Sequence, residues 1–282
     1  MKNDKIYVVS YSGGLGSANA AKRLLDNGIA PGKIELVFCD TLIEDEDLYR
    51  FVDETTKYLG LPYTKLTDGR NPWEVFKDVK YQGNSRTAHC SDLLKTQMFK
   101  KHIEEKYNYD CIVVLGMTEQ EDDRIERAKK KYPCEVIAPM ACRPFLGREK
   151  SEKIWEDVGI KIPRLYRQGF AHNNCGGFCV RAGLKQFRNL YKTNPERYLW
   201  HEKKQEEYRA WYEKYKEQQY REKKIGMGEL IKALDSKANP FLKKTVNGET
   251  QYITLKEFRE KYMEDLTPDQ YDHSTGCGCF TD

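Results

Sequence analysis

Three groups of residues in this 282-residue chain have types and spacings that can do chemistry. The first is Ser12-Gly13-Gly14-Leu15-Gly16-Ser17, which follows the apolar run from Ile6 to Ser10 and precedes an alanine-rich stretch. Glycines at 13, 14 and 16 let backbone N–H groups approach an anion without obstruction by Cβ, and the hydroxyls of Ser12 and Ser17 add donors. A helix starting here turns its positive end toward the same anion. The chemistry is phosphate binding, and the competing interpretation is an ordinary tight strand-to-helix connection. Neither the Gly-x4-Gly-Lys-Ser/Thr loop nor the Gly-x-Gly-x-x-Gly fingerprint can be laid on these residues.

The second group is the cysteines, nine in all. An odd number points away from a disulfide framework and toward metal or redox chemistry. Cys175 and Cys179 flank Gly-Gly-Phe next to His172 and two asparagines, while Cys277 and Cys279 sit in a glycine-rich tail. Zinc sites favour Cys-x2-Cys pairs, so these spacings match loosely, whereas iron–sulfur clusters use four thiolates and accept wider spacing. Cys39, Cys111 and Cys134 lie in or beside expected strands and read as small core residues. The third group is the cations Arg86, Lys95, Arg124 and Arg127. They suit phosphate or sulfate oxygens, Arg in bidentate fashion, or else a solvated surface.

These residues need elements to position them. From residue 5 to about 140, strands at 5–10, 34–39, 63–66, 111–115 and 135–137 alternate with helices at 17–27, 45–59, 91–107 and 119–131. The pattern predicts an α/β, doubly wound parallel sheet covered on both faces. Ligands in such folds sit beyond the carboxyl ends of the strands, which singles out Ser10 to Ser17, Cys39 to Glu44 and Gly116 to Arg127. Asp40 and Thr41 directly follow a strand and can hydrogen-bond a base or ribose, and Gly116 allows close approach of the backbone.

Residues 140–192 are broken into short pieces by Pro139, Pro144 and Pro163. A long charged helix is expected from Asn194-Pro195 to about Lys224, with Tyr208, Trp211, Tyr212 and Tyr215 along one face. Seven acidic residues are interleaved with its basic ones, which favours packing of that aromatic stripe over stacking on nucleic acid. Residues 225–265 read as a small appended unit, with a turn at Asn247-Gly248 and a helix start at Thr254 to Glu257. The expected division is a nucleotide-binding domain over 1–192, including the cysteine-rich turn, and a mostly helical extension over 193–282.

A net charge of +4 is too slight to demand a nucleic-acid partner. No run approaches the roughly twenty apolar residues of a membrane span. The first residues lead straight into a strand, leaving no room for a signal or transit peptide, so a cytoplasmic location and no membrane partner are expected.

The loop at 12–17 resembles the Ser-Gly-Gly-x-Asp-Ser signature of the pyrophosphate-loop (PP-loop) ATPases, with Gly16 where those proteins have Asp. That change removes a carboxylate near the phosphates, so handling of a metal such as Mg2+ is expected to differ. Further segments fall in a telling order: Phe38-Cys39-Asp40-Thr41 followed by Glu46 to Glu54, then Arg86 to Lys95, then Leu115 to Glu119 with Arg124 and Arg127. Pro163 to Phe170 then runs into Cys175 to Cys179. Over about residues 5–205 the chain resembles the phosphoadenosine phosphosulfate (PAPS) reductase family, a branch of the adenine-nucleotide alpha-hydrolase-like superfamily.

The resemblance implies an adenine nucleotide across the carboxyl edge of the sheet, its phosphates in the loop and its base near the second and fourth strands. It implies a thiolate set of Cys90, Cys175 and Cys179 with a fourth ligand from Cys277, Cys279 or Cys142. That set would hold a [4Fe-4S] cluster, with zinc as the alternative. Cys277 or Cys279 could also supply a mobile nucleophile, although the Glu-Cys-Gly-x-His of the reductases is here Gly-Cys-Gly-Cys-Phe.

Three functions follow as expectations. The first is an ATP pyrophosphatase-type enzyme that cleaves between the α- and β-phosphates, adenylates an acceptor and couples this to sulfur transfer, with Arg124 assisting at the phosphates. The second is a reductase of adenylyl sulfate or PAPS that releases sulfite and is served by a thioredoxin-like reductant. The third is a non-catalytic nucleotide- or nucleic-acid-binding subunit with a structural metal. The residues leave open the sulfur donor and the acceptor, with a nucleic acid among the acceptors.

Overall fold

Short β-branched runs bounded by turns form the strands of this protein, and amphipathic stretches between them form the helices. The computed structural model describes residues 4–84, 86–235, 241–246 and 249–264. In chain order the main elements begin with β1 (Ile6–Ser10), α1 (Leu15–Asp26), β2 (Ile34–Asp40), α2 (Glu46–Leu59) and β3 (Tyr63–Thr67). They continue with α3 (Pro72–Val79), α4 (Met98–Tyr107), β4 (Cys111–Val114), α5 (Asp122–Lys131), β5 (Glu135–Ile137), α6 (Arg148–Glu156) and α7 (Arg164–Arg167). Last come α8 (Leu184–Thr193), α9 (Pro195–Arg221), α10 (Met227–Leu234), β6 (Leu242–Val246) and β7 (Glu249–Ile253).

The described residues fall into two compact units. One comprises those within Met1–Gly69 and Ser91–Gly176, the other those within Arg70–Cys90 and Gly177–Gly278. Residue 192, where the sequence suggests a boundary, lies inside the second. Among the described residues no helix is long and apolar enough to cross a membrane.

The first unit is a five-stranded sheet in the order β3-β2-β1-β4-β5, with every pair parallel. Because alternate side chains of a strand point to opposite faces, Val9, Leu36, Phe38 and Val114 join one core with residues of α1, α2 and α6. Val8, Val37, Cys39 and Val113 join the other with Phe99 and Ile103 of α4 and Ile125 and Ala128 of α5. The sheet is thus doubly wound, as the alternation of elements predicts. From β1 the chain steps outward to β2 and β3 on one side, then returns to β4 and β5 on the other, so the order reverses between β1 and β4. That reversal opens a crevice at the carboxyl ends of these two strands.

Buried Glu35 interrupts the apolar run of β2. Its carboxylate accepts hydrogen bonds from Thr64, His102, Lys106 and Tyr107. Burial alone would raise its pKa, but these donors overcome that and hold it down at about 2.

Several expected boundaries shift for local reasons. Helix α1 begins at Leu15 rather than 17, because extended Gly14 is its N-cap. The helix expected over 91–107 is interrupted by a π-helical segment, Asp92–Gln97, and that over 119–131 opens with a 3-10 turn, Glu119–Glu121. Helix α3 has no counterpart in the expected elements, although Asn71 and Glu74 form a capping box at its start.

The second unit gathers α3, α8, α9, α10 and the antiparallel β6–β7 pair. At its centre the Phe178 ring stacks on His201 with centroids 3.8 Å apart, and Trp73 Nε1 donates to His201 Nδ1 at 3.0 Å. Burial, with a smaller contribution from the charge of Arg197, pushes the His201 pKa well down, so the imidazole is neutral. The aromatic stripe of α9 packs on itself, Tyr208 against Tyr212 and Trp211 against Tyr215. Helix α9 ends at Arg221, before the expected Lys224, where Lys223 takes a positive φ of 56°. Thr254 and Glu257 form the expected capping box, while Asn247-Gly248 lies outside the described residues.

Candidate functional site

The segment from Ser10 to Ser17 leaves β1 at the crevice and turns into α1. Gly13 takes a positive φ of 74°, and a Cβ there would lie 2.8 Å from Leu48 Cδ2, so glycine is required on both counts. Ser17 Oγ accepts from the Ser12 N–H at 3.1 Å and donates to the Gly14 carbonyl at 3.0 Å. The Ser12 and Ser17 hydroxyl oxygens are 3.2 Å apart. Gly14, the N-cap of α1, has no side chain to bond the helix start, so the first-turn N–H groups of Leu15, Gly16 and Ser17 lie outside the helix's own ladder at the crevice.

The opposite wall is Gly116, just past β4. A Cβ on Gly16 would overlap the Gly116 carbonyl oxygen, and one on Gly116 would overlap the backbone of Gly16 and Ser17. An aspartate at position 16, as in the PP-loop signature, would not fit this arrangement. Two backbones meet here with no room for any side chain.

Two side chains from one later segment grip the loop. The Tyr166 hydroxyl accepts from the Leu15 N–H at 3.2 Å. Asn173 Nδ2 donates to the Gly13 carbonyl at 3.0 Å, and its Oδ1 is buried with no hydrogen-bond partner among the described residues. The Ser10 hydroxyl, at the end of β1, is likewise buried and unpartnered among them. Buried polar atoms of this kind call for a ligand or water. Neither Tyr166 nor Asn173 carries a sequence signal for a role at the loop, because both are more than 150 residues away along the chain.

Beyond β2, Asp40 is fully engaged. It accepts from the Leu42 N–H at 2.9 Å and the Tyr49 hydroxyl at 2.7 Å, and it pairs with Lys65 at 2.7 Å. Burial opposes ionisation, yet Lys65, Tyr49 and the Leu42 N–H keep its pKa low. Thr41 donates to Glu44 Oε1 at 2.9 Å. Glu44 and Lys95 form a buried ion pair at 3.3 Å, their side chains 0% and 3% exposed. The backbone N–H of Cys175 donates to the other oxygen of Glu44. Lys95 is therefore neutralised inside the protein, and Glu44 links the expected base-side residues to the start of the cysteine-rich turn.

Of the remaining expected residues, Arg124 is paired with Glu121 and Arg127 is exposed on α5. Arg86 and Cys90 belong to the second unit, Arg86 exposed and Cys90 partly buried. Cys175, with a positive φ of 51°, belongs to the first unit, and Cys179 to the second. Cys142 is an exposed free thiol. Cys39 and Cys111 are core residues, as expected, and burial drives both thiols up to about 12. Cys277 and Cys279 lie outside the described residues. Among the described residues no three of His, Cys, Asp and Glu assemble to hold a metal ion.

A cradle of hydroxyls and helix-start amides at the switch point of a doubly wound sheet has the chemistry to take a phosphate-bearing ligand. The profile of the phosphoadenosine phosphosulfate reductase domain matches residues 6–176, spanning the whole sheet and this loop. The chain belongs to that nucleotide-binding family. It is 32% identical over 203 residues to an uncharacterised protein of Methanocaldococcus jannaschii, a match covering 71% of this chain and 41% of that one. The chain thus spans about two-fifths of the length of this curated relative.

Solved structures similar to this member of the family include three at low identity. A PAPS reductase from Candida auris in complex with phosphate is 13% identical, covering 59% of this chain and 78% of that chain, with a TM-score of 0.41. A predicted tRNA methyltransferase subunit from M. jannaschii is 17% identical, covering 68% and 89%, with a TM-score of 0.34. The NH3-dependent NAD synthetase of Campylobacter jejuni is 14% identical, covering 70% and 77%, with a TM-score of 0.36.

Proposed function

We propose that this PAPS reductase-family protein is an adenine-nucleotide-binding enzyme that cleaves ATP between the α- and β-phosphates and couples the resulting adenylation to sulfur transfer. The observation that carries the reading is the β1–α1 cradle. Ser12, Ser17 and the first-turn amides of α1 converge at the crevice between β1 and β4, where Gly16 and Gly116 bring two backbones into contact.

In this reaction an acceptor oxygen attacks the α-phosphorus, and the bond from that phosphorus to the oxygen bridging to the β-phosphate breaks. Pyrophosphate leaves with the bond's electron pair. The fixed N–H groups of the helix start, with the loop held in shape by Ser17, would stabilise the charge that develops on the departing phosphates, and they need no reorganisation during the step. A sulfur nucleophile then displaces AMP from the adenylated acceptor. Mg2+ would supply further charge neutralisation when bound, with no ligand from position 16. Arg124, paired with Glu121, would assist at the phosphates, and Cys90, Cys175, Cys179 and Cys277 would supply thiolates for a bound cluster or zinc ion.

The family match itself supports a second reading, reduction of a sulfonucleotide with Cys277 or Cys279 as nucleophile. The two separate cleanly in one assay of purified protein. ATP with a sulfide donor and an acceptor pool bearing oxygen nucleophiles, such as bulk tRNA, should yield pyrophosphate and AMP. Sulfite from adenylyl sulfate or PAPS in the presence of a dithiol reductant, with ATP left intact, would establish the reductase instead, and iron and zinc analysis of the same sample tests the thiolate set.

A further inference from the structure

We propose that Tyr166 sets the affinity of the cradle for its phosphate group by competing with it for the N–H of Leu15. This rests on the nucleotide reading of the loop and adds to it a residue that governs ligand strength.

The hydroxyl oxygen of Tyr166 accepts from the Leu15 N–H at 3.2 Å. Leu15 is the first residue of α1, a twelve-residue helix whose N-cap, Gly14, has no side chain to take that N–H. Its N–H is a donor that an anion at the helix start would take. The same hydroxyl reaches the face of Gly14, where an added Cβ would lie 2.9 Å from it. The tyrosine oxygen therefore occupies the position of a phosphate oxygen, and one N–H cannot serve both at full strength.

The tyrosine is held there by the fold. Its helix, α7, is fixed on the acidic start of α2. The Arg164 N–H donates to Asp47 at 2.6 Å, and the Arg164 guanidinium pairs with Asp45 at 2.8 Å and Glu46 at 2.5 Å. The Arg148 guanidinium lies over the Tyr166 ring, 5.3 Å from its centroid, and donates to the Tyr166 carbonyl at 3.1 Å. Further along the same segment, Asn173 holds the Gly13 carbonyl and keeps a buried Oδ1 with no partner among the described residues. That second, independent feature marks the loop as a ligand site. A phosphate entering the cradle breaks the Tyr166–Leu15 bond and leaves the ring beneath Arg148.

The test is calorimetric binding of inorganic pyrophosphate, ATP and adenosine to the wild-type protein and Tyr166→Phe at fixed ionic strength. The substitution keeps the ring and removes only the oxygen, and thermal unfolding verifies that the variant is folded. Removing one neutral hydrogen-bond competitor should tighten pyrophosphate and ATP binding about fivefold, with adenosine affinity unchanged. Equal or weaker pyrophosphate and ATP binding by the variant overturns the competition while leaving the nucleotide reading intact. An equal shift for adenosine also overturns it, since adenosine has no phosphate to compete. Absence of binding of all three ligands by both proteins overturns the competition and the nucleotide reading together.

Discussion

Gly16 and Gly116 meet backbone to backbone. A Cβ on either one would overlap main-chain atoms of the loop opposite. Gly16 lies in the first turn of α1 and Gly116 follows β4, so their contact brings the start of the helix against the neighbouring strand end. This contact draws the cradle's N–H groups toward the crevice, and it excludes a carboxylate at position 16 whatever metal the site handles.

Alanine at either position must push two main chains apart. Gly16→Ala and Gly116→Ala should each destabilise the fold by about 1–3 kcal/mol, the usual cost of overpacking. Gly16→Asp, which restores the residue of the PP-loop signature, should lose at least as much stability and gain no activity. Urea unfolding measures the first effect and pyrophosphate release the second. An alanine variant as stable as the parent would mean that the two backbones separate freely.

Ser17 holds the turn of the cradle, with its hydroxyl bonded to the Ser12 N–H and the Gly14 carbonyl. Ser17→Ala leaves both groups short of a partner, at a cost of about 1–2 kcal/mol in stability. Loss of loop order should weaken pyrophosphate binding about tenfold, equivalent to about 1.4 kcal/mol. Equilibrium dialysis with pyrophosphate checks this, and unaltered binding would take Ser17 out of the site.

The alternation of strands and helices was legible because β1, β2 and β4 are short apolar runs buried on both faces, and the glycines after β1 and β4 marked the crevice. What escaped the sequence depends on contacts distant along the chain. Asp40 reads as an open carboxylate until Tyr49 and Lys65 are seen to saturate it, and Lys95 reads as a phosphate cation until Glu44 is found beside it. The π-helical stretch at Asp92–Gln97 has no local signature, since a hydrogen-bond shift of one residue is decided by packing. Tyr166 falls in a segment that carries the family resemblance, yet only folding brings its hydroxyl to Leu15.

The Glu44–Lys95 pair is buried and multiply bonded, so removing one charge should cost far more than removing both. Lys95→Met leaves the Glu44 carboxylate without its counter-ion, and Glu44→Gln leaves the ammonium without its own. Each should destabilise the protein by about 3–5 kcal/mol. The double variant should recover much of that loss, giving a large coupling energy in a double-mutant cycle measured by denaturant unfolding. Additive losses would mean that the two charges do not sense one another. The same cycle bears on Cys175, whose N–H is held by Glu44. Its thiol should react faster with an alkylating reagent in Glu44→Gln than in the parent.

Glu35 provides the pH test. Its pKa is held at about 2 in the folded protein, against 4.5 for an ordinary glutamate. A carboxyl whose folded pKa is depressed binds its proton more tightly in the unfolded chain, so the stability it contributes is fully present above pH 4.5. That contribution falls away as the pH drops from 4.5 toward 2, and at neutral pH it amounts to about 3 kcal/mol. Its partners Thr64, His102, Lys106 and Tyr107 all face the same carboxylate. Glu35→Gln keeps the shape and removes the charge, so the variant should be less stable at pH 7 and show a flatter loss of stability between pH 4.5 and 2.5. Urea midpoints across that range decide the matter. Parallel pH profiles for the parent and Glu35→Gln would place the acid sensitivity in other carboxylates, and β2 would then owe nothing to the charge it buries.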